Sequence, residues 1–408
     1  MASAAIMTLD DALERLAAGA RAAAIAETET VSTFDALGRV LAEDVKSTLD
    51  VPPADNSAMD GYALRACDVP GAGAVLPVLQ RIPAGVVGQP LAAGSAARIF
   101  TGAQVPAGAD AVVMQEHCEA LDGAVRILAV PSPGQWIRRR GEDVEADAVV
   151  LRRGTRMTPQ SMGLAASVGA GQLCVVRRPR VALFSTGDEL VMPGEPLKPG
   201  AIYNSNRYTL RGLLEAAGCD VADLGIVPDR LDATRDALRR AAEGNDLIVT
   251  CGGVSVGEED HLRPALQAQG RLELWQIAIK PGKPLAFGAV RRDGGEALYV
   301  GLPGNPVSSF VTFVLAVRAV LRVLQGADPA LPAPWPTRAD FDWPLPDRRR
   351  EFLRVRRNAE GGLALFPYQS SGVLTSVCWA DGLLDNPAGQ VIRRGDAVAF
   401  LPLEALLR

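Results

Sequence analysis

The stretch Leu247-Ile-Val-Thr-Cys-Gly-Gly-Val-Ser-Val-Gly-Glu-Glu-Asp260 decides how this chain is read. Its apolar opening has the length and composition of a short buried strand, and it runs straight into a glycine-rich loop. Gly252, Gly253 and Gly257 let the backbone turn sharply and approach a ligand with no Cβ in the way. Loops of this kind point several N–H groups at one anion. Glu258, Glu259 and Asp260 follow where a helix would begin, and carboxylates beside an anion site suit a metal ion or a mobile proton. The spacing matches neither a Walker A loop, which needs Gly-Lys-Ser/Thr, nor a dinucleotide G-x-G-x-x-G. By itself the segment reads equally well as an anion cradle and as a plain strand-to-helix turn with an acidic first turn.

Its surroundings alternate strand and helix from 180 to 326. Strands are expected at 181–184, 221–227, 247–249, 272–279, 285–290 and 297–300. Helices are expected from an Asn204 or Ser205 cap to 217, from an Asp232 cap to 242, after Asp260 and, as a long helix, after Pro306. That alternation predicts a doubly wound, mostly parallel sheet with helices on both faces. Ligands of such sheets bind at the carboxyl ends of the strands, where Ser185-Thr-Gly-Asp-Glu189, the glycine loop and Leu302-Pro-Gly-Asn-Pro306 all fall.

Residues 51–143 are rich in Gly, Pro, Val and Ala with short β-like runs, which predicts a small β-rich domain. Residues 1–50 and 144–178 carry helical patterns and are expected to pack together as one discontinuous domain. A proline-stiffened linker after Gly326, ending at Pro336, leads to residues 338–408, expected as a small β-barrel or sandwich.

The 408 residues exceed one ordinary core, and 48% hydrophobic with 22% charged residues describe a soluble globular chain. A net charge of −5 gives no electrostatic case for nucleic acid or a membrane surface. Six scattered cysteines, with no C-x-x-C pair, argue against a zinc site or a disulfide framework and for reduced thiols. With no signal-peptide pattern and no stretch reading as a membrane span, a cytoplasmic location is expected.

Ile279-Lys-Pro-Gly-Lys-Pro284 sets Lys280 and Lys283 around a rigid turn, which suits a phosphate or is simply a solvated turn. Asn305 and Pro306 suit the cap and first position of a helix, and capping alone explains them. The carboxylates of Ser185-Thr-Gly-Asp-Glu189 and Pro228-Asp229 suit magnesium beside a phosphate, with helix capping as the bland alternative for Asp229. Ile137-Arg-Arg-Arg-Gly-Glu-Asp143 is either a solvated face or a second anion-facing lip. His117 and His261 sit in no triad pattern, and Cys251 reads as a small buried residue.

Seven of these motifs, in order, resemble the MoeA/gephyrin family of molybdopterin molybdenumtransferases. They are Asp55-Asn-Ser-Ala-Met-Asp-Gly-Tyr-Ala63, Thr101-Gly-Ala103, Arg140-Gly-Glu-Asp143, Ser185-Thr-Gly-Asp-Glu189, Gly252-Gly-Val-Ser-Val-Gly257, Lys280-Pro-Gly-Lys-Pro284 and Leu302-Pro-Gly-Asn-Pro306. The resemblance covers essentially the whole chain. It implies a multidomain α/β plus β fold, assembled as an elongated homodimer with four domains per subunit. These are a discontinuous dimerisation domain (1–50 and 144–178), a β-rich domain (51–143), a doubly wound molybdopterin-binding domain of MogA/MoaB type (179–326) and a C-terminal β-barrel (327–408). The active cleft would be shared, with the doubly wound domain of one subunit facing the β-rich domain of its partner. The implied reaction inserts molybdate into adenylylated molybdopterin with release of AMP.

By matching positions, the resemblance assigns Asp60, Asp143, Glu189, Asp229 and Asp260 to magnesium and the reacting phosphate region, with Asp60, Glu189, Asp229 and Asp260 as Mg2+ ligands. Lys280 and Lys283 would hold phosphate, and Thr101 and Arg138 would line the anion-facing lip. Gly252, Gly253, Ser255, Gly257, Pro303, Pro306 and Ser371 would line the substrate pocket. Cys251 and His261 depart from the Ser and Tyr that relatives often carry. A scaffold of gephyrin type and a tungstate-specific paralogue are the alternatives, and transient contacts with other cofactor-assembly proteins are expected.

Overall fold

The structure, a computed structural model, describes residues 6–253 and 261–407. Ser255, Gly257 and Asp260 therefore lie outside the described residues. The strand Leu247–Cys251 is buried at every position and sits inside a seven-stranded sheet. Strands Asp220–Val227, Arg180–Thr186, Leu247–Cys251 and Gly295–Leu302 lie side by side and parallel. Pro284–Arg292 and Gly270–Ile277 extend the sheet antiparallel, and Ile6–Met7 closes its edge.

Strand periodicity sorts the core onto two faces. Val181, Leu183, Leu247 and Val249 pack with Leu16, Leu210, Leu214 and Val314 on one side. Ala182, Phe184 and Ile248 pack with Leu238, Ala241 and Leu266 on the other. From Arg180–Thr186 the chain crosses by helix Ser205–Ala216 on the first face to Asp220–Val227. It returns by helix Leu231–Ala242 on the opposite face to Leu247–Cys251, on the far side of the starting strand. The strand order thus reverses between Arg180–Thr186 and Leu247–Cys251, and a crevice opens where such a sheet binds ligands.

Several expectations need correction. The first helix, Leu9–Arg21, buries Leu9, Ala12, Leu16, Ala17 and Ala20 in the core of the seven-stranded sheet rather than joining residues 144–178. Its apolar stripe finds the larger apolar face, that of the long helix after Pro306. The segments that do pair across the insertion are Thr28–Ser32 with Gln172–Val176 and Val45–Lys46 with Val149–Leu151. Their shared core includes Leu41, Val144, Met157 and Val175. Helix Leu231–Ala242 begins ahead of Asp232, which lies in its first turn and still favours the positive helix end. Finally, Pro306–Leu324 is long and apolar enough to cross a membrane, yet 89% of it is buried within the fold as a core helix.

Between the paired segments, six strands from Gly61–Leu64 to Ala124–Ile127 form one sheet with a separate core on each face. At the C-terminus, strands Arg350–Arg357, Gly382–Asn386 and Ala397–Pro402 enclose Phe341, Leu353, Leu384 and Phe400. A bridge between Ala339 and Leu363 joins the two ends of this sheet and closes a small barrel. Ile279–Lys280 pairs with Arg350 and Glu351, tying that barrel to the lysine turn.

Candidate active site

Gly252 and Gly253 adopt φ of +95° and +64°, so both need the left-handed region that glycine tolerates. A Cβ on Gly252 would come within 2.7 Å of the Thr186 carbonyl, and one on Gly253 would collide with Leu262. The glycine loop is thereby pressed onto the end of the neighbouring strand. The Gly252 N–H donates to the Leu302 carbonyl at 3.2 Å, which links the next loop along the edge.

Asn206 ties these loops together, and sequence reasoning missed it. Its Nδ2 donates to the Gly304 carbonyl at 2.6 Å and to Cys251 Sγ at 3.0 Å. The Cys251 thiol in turn donates to the Pro303 carbonyl at 3.3 Å, and burial pushes its pKa up. The only signal in the sequence was Asn204-Ser-Asn206 at a helix start, and Asn204 fills the capping role by accepting from the Arg207 N–H. Pro306 opens the following helix, while Asn305 occupies the cap position without a side-chain capping bond. The Val307 N–H donates to the Ser371 carbonyl at 2.9 Å, so the C-terminal domain delivers Ser371 to this loop.

Lys280 and Lys283 lie in the turn that feeds strand Pro284–Arg292, at the same edge as Leu302. A Cβ on Gly282 would meet Thr312 Oγ1 at 2.5 Å, which holds the turn against the helix after Pro306. The two lysines differ sharply. Lys280 Nζ lies 3.3 Å from Asp347 and 3.3 Å from Glu351, both in the C-terminal domain. Glu351 is 1% exposed and also accepts from Trp343 Nε1. Lys283 is half-buried, and its side chain makes no ion pair among the described residues. Of the two lysines, Lys283 is thus the one without an ion pair among the described residues.

The acidic residues gather where the first two strands end. The Asp229 N–H donates to Asp188 Oδ1 at 3.1 Å, joining the loops after Arg180–Thr186 and Asp220–Val227. Glu189 is exposed, its carboxylate folded back to within 2.5 Å of where a Gly187 Cβ would stand. The sequence marks Asp188 with Glu189 as a carboxylate pair, but the bond from the Asp229 backbone joins two strands and leaves no local spacing to read.

The other named residues sit around the six-stranded sheet. Both the N–H and the hydroxyl of Thr101 donate to Asp60 Oδ1, at 2.8 and 2.7 Å. These bonds, with Arg98 nearby, hold the Asp60 carboxyl below its ordinary pKa. Arg139 is taken up by Asp55, and Arg140 by Asp50. Arg138 is exposed on a two-residue strand paired with Asn56 and has no side-chain partner among the described residues. Asp143 is exposed, with its N–H donating to the Val51 carbonyl at 2.9 Å. Within one chain, the hydrogen-bond partners found for Asp60 and Thr101 all belong to this β-rich part.

Among the described residues no three His, Cys, Asp or Glu side chains converge as a metal centre. The donors present are hard carboxylate oxygens, the type magnesium takes. Magnesium usually uses one or two of them together with substrate phosphates rather than an all-protein cage. The residues therefore fit magnesium arriving with a phosphate-bearing ligand.

Residues 7–169 match the MoeA N-terminal region (domain I and II), 182–323 a probable molybdopterin binding domain, and 336–403 the MoeA C-terminal region (domain IV). The chain belongs to the MoeA family. It is 43% identical over 310 residues to a molybdopterin molybdenumtransferase of Haemophilus influenzae, covering 74% of each chain. It is 40% identical over 380 residues to molybdopterin molybdenumtransferase 2 of Mycobacterium tuberculosis strain H37Rv, covering 88% of this chain and 90% of that one. A crystal structure of the molybdopterin biosynthesis moeA protein from Pyrococcus horikoshii OT3 superposes with a TM-score of 0.82 at 31% identity, covering 97% of this chain and 99% of that one. The three family matches together take in both sheets that carry the candidate residues, as well as the barrel that supplies Ser371.

Proposed function

We infer that this chain is a molybdopterin molybdenumtransferase, inserting molybdate into adenylylated molybdopterin and releasing AMP. The observation that carries the reading is the meeting of glycine loop, Asn206-tied loop and lysine turn at the switch point of a chain matched by MoeA models over most of its length. The relatives are named as transferases, which leaves the scaffold alternative without support.

Both substrates are anions and the sulfur ligands of the metal belong to the pterin, so the protein's task is positioning and charge compensation. Lys283 meets the phosphate, and Lys280 steadies the turn through its bonds to the barrel. Glu189, Asp229 and Asp260, with Asp60 opposite, would hold Mg2+, which when bound offsets charge on the phosphoanhydride. Asp60 reaches the glycine loop from a second copy of the chain, with Thr101 keeping it ionised and Arg138 and Asp143 on the same lip. The enzyme then works as a cytoplasmic homodimer with a shared cleft. The test is molybdate-dependent AMP release from adenylylated molybdopterin by Asp60→Ala and Asp260→Ala variants. Both are expected to fold and to lose turnover, and full activity in both would overturn the assignment.

A further inference from the structure

Away from this edge, Arg156, Arg318 and Arg322 line one small pocket together with Leu213, Ala217, Phe313, Leu406 and Leu407. The three arginines come from different parts of the chain. Arg156 follows the strand that pairs with Val45–Lys46, and the other two lie on the core helix after Pro306. None has a carboxylate within ion-pair distance among the described residues. Their described acceptors are backbone carbonyls. Arg156 donates to Ala216 and Ala217 at 3.1 Å each, Arg318 to Ala330 at 3.1 Å, and Arg322 to Asp328 at 2.5 Å. The Asp328 carboxylate accepts the Ala330 N–H and, from beyond ion-pair distance, offsets part of the charge of Arg318 and Arg322. Arg318 Nε is buried with no hydrogen-bond partner among the described residues.

Three half-buried guanidiniums around one space carry a mutual repulsion that carbonyl dipoles and the single Asp328 carboxylate only partly offset. Burial, and then the charge of Arg322 and Arg156, pull the Arg318 pKa down to about 10. Arg156 is lowered by burial and by Arg322 and Arg178. A neighbouring thiol, Cys219, supplies no charge, because burial pushes its pKa up to about 12. The cavity is small, about 20 Å³, which suits a single small occupant.

We propose that Arg156, Arg318 and Arg322 form a binding site for one small inorganic anion of halide size, held between their guanidinium groups. The anion clamps the Arg156 segment and the C-terminal tail onto the core helix. It is a structural ligand, remote from the glycine loop and independent of the transferase reading.

The test compares the full-length protein in sodium chloride, sodium bromide and sodium gluconate at equal ionic strength. Chloride and bromide are expected to raise Tm by about 2–4 °C over gluconate. Crystals grown in bromide should show an anomalous peak within hydrogen-bonding distance of the guanidiniums lining this pocket. Arg318→Met should abolish the halide increment while melting no lower than the parent in gluconate, since one of three repelling cations is gone. Arg156→Met gives the same readout should Arg318→Met fail to fold. Equal melting in all three salts, or no bromide in this pocket, would overturn the proposal.

Discussion

At the carboxyl edge of the seven-stranded sheet, position comes from topology. The glycine loop is where it is because the strand order reverses beside it and because Gly252 fits against the Thr186 carbonyl. At the lip of the six-stranded sheet, position comes from side chains closing a turn, with Thr101 gripping Asp60 by two hydrogen bonds. The first arrangement offers backbone and, among the described residues, a lysine without an ion pair. The second offers a carboxylate held in its charged form. The site proposed for two anions and Mg2+ would need both kinds of wall, and the chain builds them on separate sheets.

Removing the charged wall is expected to have the largest effect. Asp60→Ala should lower AMP release about 10²–10³-fold, the size seen when one preorganised transition-state group is lost, with an unchanged melting temperature. Within the other wall, the two lysines should separate. Lys283→Ala is expected to raise KM or lower turnover about 10–100-fold at constant Tm. Lys280→Ala leaves Glu351 buried without its cation and should cost about 1–3 kcal/mol of stability, read from urea unfolding. Equal stability of the two lysine variants would remove the distinction drawn between them.

Gly252→Ala should destabilise by about 1–3 kcal/mol through the left-handed backbone and the clash with Thr186, again in urea. The smallest effect is on pH dependence. Asp60 is held below its ordinary pKa, so its carboxylate stays ionised further into acid and its contribution is lost only as pH falls through that lowered value. Thr101→Val removes one of the two bonds. The acid limb of the pH–rate profile should then move to higher pH.

Much of the sheet was readable because strand and helix periods alternate cleanly, and the three edge loops were placed together by the rule for parallel sheets alone. The destination of Leu9–Arg21 was not readable, since an amphipathic stripe says that a helix packs but not on what. The asymmetry of Lys280 and Lys283 was hidden for a similar reason. Asp347 and Glu351 reach Lys280 only through the pairing of Ile279–Lys280 with Arg350 and Glu351. Asn206 looked like one more polar residue in a first turn, and only the fold shows that it spans two loops.

The buried thiol of Cys251 has a consequence for a protein that handles metal on someone else's sulfur. A thiolate, not a thiol, is the form that binds metal. Cys251 sits beside the substrate edge with Asn206 on one side and the Pro303 carbonyl on the other, and burial keeps its proton on. The chain thus carries a sulfur into its own site without creating a rival to the pterin for the cargo.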